Sequence, residues 1–207
     1  MKASDATITI IDFESTGVVA GLPDEPWQVG VVRFEAGRVN PKDSITTLLQ
    51  VGSRPFSRHA PGRHERLRDE ISVAPVLAEL WPQLRHWLVG CPLAAHNVST
   101  EKKILSKAFP MHSVGPWIDT LTLARVAHPE CASHRLEDLI IGFGLSGQVE
   151  QLAPQRAPHD ALYDAISCGV LLEYLFGLPE WEDITLDALI HARADEFHKG
   201  LARRSGR

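Results

Sequence analysis

The sequence predicts an α/β domain in which a mixed β-sheet is flanked by helices. Strand-like segments dominate the start of the chain, helix-periodic segments follow, and short apolar strand segments alternate with them. The chain has 207 residues, of which 44% are hydrophobic and 23% charged, so it can bury one sizeable core without disulfide bonds. We assign residues 1–178 to this domain and residues 179–207 to a C-terminal helical extension.

Four segments have the apolar, β-branched composition of buried strands. They are residues 7–13, 27–34, 45–51 and 93–96. The links between the first three are short and contain glycine, asparagine and proline, which favours antiparallel pairing of neighbouring strands.

Six segments repeat their apolar residues at helical spacing. They are residues 74–88, 99–109, 120–127, 135–143, 160–176 and 185–204. Pro82 predicts a kink in the first, and Ser99 and Asp160 are predicted N-caps of the second and fifth. We expect the last segment to dock on the domain or on a partner.

The charge balance and the cysteines exclude several classes of protein. A net charge of −5 argues against a protein that coats nucleic acid by bulk positive charge, although a local basic groove remains compatible with it. No apolar run approaches the roughly 20 residues of a membrane span, and the first residues do not show the apolar core and cleavage site expected of a signal peptide. Three widely spaced cysteines indicate neither a disulfide framework nor a thiolate zinc site. We therefore expect a cytoplasmic protein with no membrane partner.

The first candidate site is at the end of the first predicted strand. Asp12 and Glu14 alternate with Phe13, so both carboxylates point to the same face of the strand. Adjacent carboxylates repel each other unless a cation or a proton lies between them, and such oxygen ligands suit Mg²⁺ or Mn²⁺. A tight turn with free hydroxyl and N–H groups follows at residues 15–17. The alternative is a strand end that merely becomes polar at the surface.

Two further segments carry candidate residues. His159 and Asp164 converge only if the histidine precedes the helix and the aspartate lies in its first turns, which Pro158 and Asp160 favour. The alternative is a loop histidine and an acid that complements the helix dipole. His96, Asn97 and Glu101 lie where a strand ends and a helix begins, although Glu101 is equally compatible with an ordinary first-turn acid.

The order of these motifs, DFESTG, then AHN followed by an acid, then HDALYDA, resembles the DEDDh branch of the 3′→5′ exonucleases. This branch includes the proofreading subunit of bacterial replicative DNA polymerase, RNase T and oligoribonuclease. The resemblance covers residues 7–176. It implies an RNase H-like fold, with a mixed five-stranded sheet and helices on both faces, for the domain of residues 1–178.

The resemblance also implies a role for each motif residue. Metal binding falls to Asp12, Glu14, Glu101 and Asp164, and catalysis to His159 as general base together with Asp12, Glu14 and Asp164. Contact with the terminal nucleotide falls to Ser15, Thr16, Gly17, His96 and Asn97. The implied reaction is hydrolysis of phosphodiester bonds from a 3′ end with two Mg²⁺ or Mn²⁺ ions, releasing nucleoside 5′-monophosphates. We expect single-stranded or 3′-terminal nucleic acid as substrate, with DNA favoured over RNA.

One departure from the family pattern leaves a second hypothesis open. The family usually has an aromatic residue and then aspartate in its second motif, where this chain has Thr100 and Glu101. We expect a working site because the other motif residues are present. The alternative is a nucleic-acid-binding or assembly subunit with an impaired metal site. The C-terminal helix is the expected contact for a second copy or a polymerase-type partner.

Positive charge near the acidic motifs would help to hold a substrate. The candidates are Arg58, Arg63, Arg66, Arg68, Lys102, Lys103 and Lys107. For any one of them, an ordinary solvated surface position is the alternative.

Overall fold

The computed structural model describes residues 1–19 and 21–192. One sheet contains five strands in the order β3-β2-β1-β4-β5. Their bounds are β1 Ile8–Ser15, β2 Pro26–Glu35, β3 Arg38–Leu48, β4 Leu93–Ala95 and β5 Trp117–Asp119. The first three strands pair antiparallel, whereas β1–β4 and β4–β5 are parallel pairs, so the sheet is mixed. The predicted fold class is confirmed.

Helices cover both faces of the sheet. Their bounds are α1 Arg68–Ser72, α2 Trp81–Leu88, α3 Ser99–Ala108, α4 Thr120–Ala127, α5 Leu136–Gly142, α6 Ser146–Leu152, α7 Ala161–Phe176 and α8 Leu186–Ile190. On one face, α7 packs across β1, β2 and β3 within a buried cluster that also includes α4, α5 and α6. On the other face, α2 and α3 bury a second cluster against β1 and β2. The alternation of β1 divides its side chains between these two clusters.

Several predicted element boundaries were wrong. Strand β3 begins at Arg38 and not at residue 45, because a register shift opposite Val32 and Arg33 lets the polar hairpin remain paired with β2. Pro82 does not kink a long helix. It lies in the first turn of α2, where its missing N–H is harmless, and a separate 3₁₀ turn (Leu77–Leu80) precedes it. Elements α1, α6 and β5 are short, and the periodicity did not predict them.

Two glycines allow α7 to lie unusually close to the sheet. A Cβ atom added to Gly30 of β2 would lie 2.2 Å from backbone atoms of Ala161 and Leu162. A Cβ atom added to Gly169 would lie 2.4 Å from Val39 Cγ2. Since Gly30 pairs with Asp12 in the sheet, this close approach places the first turn of α7 beside Asp12.

The described part of the predicted C-terminal extension lies against the domain. Trp181, Ile184 and Leu189 are buried in the same cluster as α7, and the Ala3 N–H donates to the Ile184 carbonyl at 2.8 Å. The predicted helix over residues 185–204 corresponds to α8 at its start, and residues 193–204 of it lie outside the described residues. Within the described chain, every helix is too short or too polar to cross a membrane.

Candidate active site

The end of β1 supplies two acids to the face that α7 covers. Ile10 packs against Gly169 of α7, so alternation directs Asp12 and Glu14 to the same side of the sheet. Asp12 is partly buried, and Glu14 is only 6% exposed. The register shift after Glu14 ends regular pairing with β2 at this point.

The start of α7 brings a histidine and a third acid to these residues. Asp160 caps the helix as predicted, since its side chain accepts from the N–H groups of Leu162 and Tyr163. His159 precedes the cap in a left-handed conformation, with φ of 64°, and its N–H donates to Asp164 Oδ2 at 3.0 Å. The chain reversal at His159 is what allows residues five positions apart to converge.

Strand and helix together form one ligand cluster. Glu14, His159 and Asp164 each offer a ligand atom, and these atoms all lie within 4.8 Å of one another. A compact set of two carboxylates and an imidazole is suited to a divalent cation or to proton transfer.

The fourth acid is Glu101 of α3, a helix that packs on the opposite face of the sheet from α7. Glu101 is 4% exposed, and its buried Oε2 atom has no hydrogen-bond partner within residues 1–19 and 21–192. Its charge is close enough to Asp12 to raise the pKa of that carboxyl. The predicted N-cap of this helix was wrong: Val98 is the cap, and the Ser99 hydroxyl donates to Asn97 Oδ1 at 2.9 Å.

The acids of the site repel one another in a poorly solvated space. Burial raises the pKa of Glu14 to about 8, and the Asp164 carboxylate adds to the increase. Burial also raises the pKa of Glu101 to about 7. The pKa of Asp164 rises to about 6 through burial, although the His159 N–H opposes the shift. Burial and the neighbouring acids hold the pKa of Asp12 well above its usual range.

These properties fit a bound cation. Among the described residues, no lysine or arginine forms an ion pair with any of the four carboxylates. A cation placed among these acids would give the Glu101 oxygen a partner and would offset the repulsion that helps to raise the pKa of Glu14. Carboxylate oxygens with one imidazole are a donor set that accepts Mg²⁺ or Mn²⁺.

The turn after β1 is held by an acid that the sequence did not reveal. We expected free hydroxyl and N–H groups at Ser15, Thr16 and Gly17, but Asp24 engages them. Its carboxylate accepts from the Ser15 hydroxyl at 2.9 Å and from the Gly17 N–H at 2.7 Å. The Thr16 side chain is fully buried. Asp24 lies between prolines in a loop, and no local pattern distinguishes it from a solvated acid.

The AHN segment is fixed by partners within the protein. His96 Nε2 lies 2.8 Å from the His134 carbonyl, and Nδ1 lies 3.0 Å from the Thr120 hydroxyl. Burial lowers the pKa of His96, which favours the neutral ring. Asn97 is exposed with φ of 77°, and its N–H donates to Asp119 Oδ1 at 3.0 Å. Asp119 also caps α4, a role that an acid before a helical segment could have indicated.

Comparison with known proteins agrees with this arrangement. Residues 9–170 match the RNase_T family model, described as an exonuclease. The DNA polymerase III PolC-type of Thermotoga maritima is 29% identical over 180 residues, which are 83% of this chain and 12% of the polymerase. The chain therefore spans a small part of the curated relatives it matches.

Two solved structures share the fold at low sequence identity. The nuclease domain of 3′hExo, a DEDDh family member bound to rAMP, superposes with a TM-score of 0.66 at 14% identity, over 85% of this chain and 94% of that one. S. pombe Pop2p in its Mg²⁺- and Mn²⁺-bound form gives a TM-score of 0.65 at 12% identity, over 90% and 89%.

The family match covers most of the chain, and the two solved structures superpose on most of it. The membership and the fold that the motifs implied are thereby confirmed. The chain belongs to the RNase_T family of exonucleases, as a DEDDh-type member with an RNase H-like fold.

Proposed function

We propose that this chain is a metal-dependent 3′→5′ exonuclease that removes nucleotides one by one from the 3′ end of DNA. The observation that carries the proposal is the cluster of Glu14, His159 and Asp164, with Asp12 and Glu101 beside it. Family membership supports the reaction class.

In this proposal the four acids hold Mg²⁺ or Mn²⁺, two ions in all. When bound, the metal supplies positive charge for the phosphoryl oxygens and lowers the pKa of the attacking water. Buried carboxylates that repel one another in its absence then become paired charges. S. pombe Pop2p, a neighbour by fold, is described in a Mg²⁺- and Mn²⁺-bound form, which supports this choice of ions.

His159 acts as the general base. Its side chain is the most solvent-exposed member of the cluster, so a water molecule beside the scissile phosphate can reach it. The water oxygen forms a new bond to phosphorus, its proton passes to the imidazole, and the P–O3′ bond breaks. The departing O3′ takes up a proton, which leaves a nucleoside 5′-monophosphate and a strand with a new 3′-hydroxyl.

The turn at residues 15–17 and the AHN segment form the proposed contact with the terminal nucleotide. Asp24 and Asp119 accept hydrogen bonds from backbone N–H groups of these two segments. The exposed groups of the segments are therefore already oriented before a nucleotide binds. We propose that Ser15, Gly17 and Asn97 touch the nucleotide through exposed atoms. The side chains of Thr16 and His96 form hydrogen bonds within the protein, so these two residues support the neighbouring residues that touch the nucleotide.

The proposed setting is the cytoplasm, alongside a DNA polymerase. The matched relatives are DNA polymerases in which this domain is a small part, which supports both a DNA substrate and a polymerase-type partner. We propose that the C-terminal region, residues 179–207, provides the contact with that partner. Light scattering on the purified chain alone tests the other arrangement, a homodimer.

The activity is tested on a single strand labelled internally, with Mg²⁺, with Mn²⁺ and with EDTA. The proposal expects stepwise shortening from the 3′ end with either metal, no shortening in EDTA, and none with Asp12→Ala. Recessed duplex DNA and RNA of the same sequence measure the substrate preference. Unchanged hydrolysis by Asp12→Ala would contradict the assignment of the site.

A second function rests on Glu101, which is one methylene longer than the family's usual aspartate. In this alternative the metal site is impaired and the chain binds nucleic acid or assembles with a partner. It predicts nanomolar strand binding without hydrolysis in either metal. The wild-type assay therefore separates the two functions directly.

A further inference from the structure

A loop rich in arginine lies beside the candidate active site. We call residues 57–66, between β3 and α1, the arginine loop. It carries Arg58, Arg63 and Arg66, all exposed, and a single acid, Glu65. These residues line a cavity of about 390 Å³. A cavity walled by arginines on a chain of net charge −5 is a local reversal of the overall charge.

Most of this positive charge is not neutralised by the residues that the structure describes. Arg63 lies 3.4 Å from Asp160, but that carboxylate already has Arg156 at 2.7 Å. The Arg58 side chain donates to His59, which brings no negative charge. Within residues 1–19 and 21–192, neither Arg58 nor Arg66 forms an ion pair.

The loop is held in place on an aromatic base. Phe56 and His64 stack with ring centroids 4.4 Å apart, and the edge of Trp27 packs against both rings. The His64 ring also contacts the Pro61 carbonyl at 3.3 Å. A loop supported in this way presents its arginines with little ordering cost on binding.

The same loop touches both halves of the candidate site. The Ser57 N–H donates to the Thr16 carbonyl at 2.7 Å, which joins the loop to the turn after β1. On the other side, a Cβ atom added to Gly62 would lie 2.9 Å from the His159 carbonyl. Gly62, which lines the arginine cavity, therefore lies against the backbone of the proposed general base.

We propose that the arginine loop binds a backbone phosphate of the substrate strand other than the phosphate being cleaved. The inference rests on the proposed function. Arginine presents a planar fork of N–H donors that matches phosphate oxygens, and a four-carboxylate site needs nearby positive charge to attract a polyanion. A strand with several phosphates contacts both the arginine loop and the metal site. A substrate with one phosphate engages only the metal site.

The test compares Arg58→Ala/Arg66→Ala with a control that removes the same charge elsewhere. Arg38→Ala/Lys42→Ala is suitable, because both side chains are exposed on β3 near the hairpin, at the opposite end of the sheet from Asp12. Arg63 stays intact because it contacts Asp160. Circular dichroism and thermal melting confirm that each variant is folded.

Two substrates are used with Mg²⁺, a long 3′-labelled single strand and a dinucleoside monophosphate. For the long strand, we expect the arginine variant to raise KM about tenfold with kcat unchanged. We also expect the slope of log(kcat/KM) against log[salt] to become less negative by about one unit. We expect cleavage of the dinucleoside monophosphate to be unchanged. The control variant should match the wild type on both substrates.

Either of two results overturns the proposal. One is an unchanged KM and salt slope on the long strand, and the other is an equal loss on both substrates. If the wild type cleaves neither substrate, the proposed function is wrong. The proposed role of the arginine loop is then tested by measuring the affinity of each variant for the long strand in EDTA. Weaker binding by the arginine variant than by the control then supports the loop, and equal binding overturns it.

Discussion

Glu101 is the residue at which this chain departs from the usual pattern, and its surroundings indicate how it works. The side chain is buried at the start of α3, with one carboxylate oxygen left without a partner. The extra methylene relative to aspartate is therefore accommodated in a packed position and does not extend into solvent. The position of this carboxylate is a property that a single substitution can test.

We predict that Glu101→Asp lowers kcat by about 10- to 100-fold. The shorter side chain withdraws the carboxylate by more than 1 Å, and a misplacement of this size carries such a penalty. Single-turnover kinetics at saturating Mg²⁺ and Mn²⁺ measure the effect, with thermal melting as the control for folding. A marked gain in rate would instead mean that the native glutamate handicaps the site.

His159 belongs to the cluster with Glu14 and Asp164 but is assigned a different role. We predict that His159→Gln lowers kcat by about 10²- to 10⁴-fold, the range typical of a lost general base. The increase in melting temperature on adding Mg²⁺ should persist, because the four acids remain. Loss of that increase together with activity would identify His159 as a metal ligand.

At the scale of elements, the site depends on the contact between β2 and the start of α7. Asp12 and Asp164 belong to different elements and approach each other because Gly30 has no side chain to hold the helix away. The Gln28 side chain reinforces this contact, since its Oε1 accepts from the Ala161 N–H at 3.3 Å. Packing at this contact, rather than local sequence, sets the distance between the acids.

We predict that Gly30→Ala destabilises the fold by about 1–3 kcal/mol and abolishes most of the activity. The added methyl group would lie 2.2 Å from the α7 backbone, so the helix must shift and carry Asp164 and His159 with it. Urea unfolding and the exonuclease assay measure the two effects. Gly142→Ala is the matched control, because no atom lies within 4 Å of its added Cβ. Equal stability of the two variants would contradict the role of this contact.

At the scale of the whole molecule, the four acids of the site, which have no cationic partner among the described residues, oppose folding when they are charged. A carboxyl whose pKa is higher in the folded than in the unfolded chain adds stability at low pH. That contribution is complete below the unfolded values near 4 and is lost as the pH rises through the folded values of about 6 to 8. The metal-free protein should therefore be least stable in mildly alkaline solution.

We predict that the unfolding free energy falls by several kcal/mol between pH 5 and pH 9 in EDTA. Mg²⁺ at 100 times its Kd should restore about 2.7 kcal/mol. Denaturant melts across the pH range measure both, and Glu14→Gln should show a smaller pH dependence than the wild type. A flat profile in EDTA would mean that the acids are not destabilising.

Local sequence patterns predicted much of the placement of the site residues. The strand alternation at Asp12 and Glu14 placed both carboxylates on one face, and Pro158 with Asp160 placed His159 just before a helix. Both are local properties, since side-chain alternation and helix capping depend on a few neighbouring residues. The order of three motifs then identified the family, although each motif alone had an ordinary structural explanation.

Tertiary structure decided the rest, because it depends on residues distant in the chain. The close approach at Gly30, the burial of Glu101 beside Asp12 and the anchoring of the turn by Asp24 join separate segments, and no local pattern encodes them. The same holds for the arginine loop, which reaches His159 only through folding. Local sequence indicates which chemical groups are present and on which faces of their elements they lie. Only packing decided which of them meet, because desolvation and repulsion depend on distances set by the whole core.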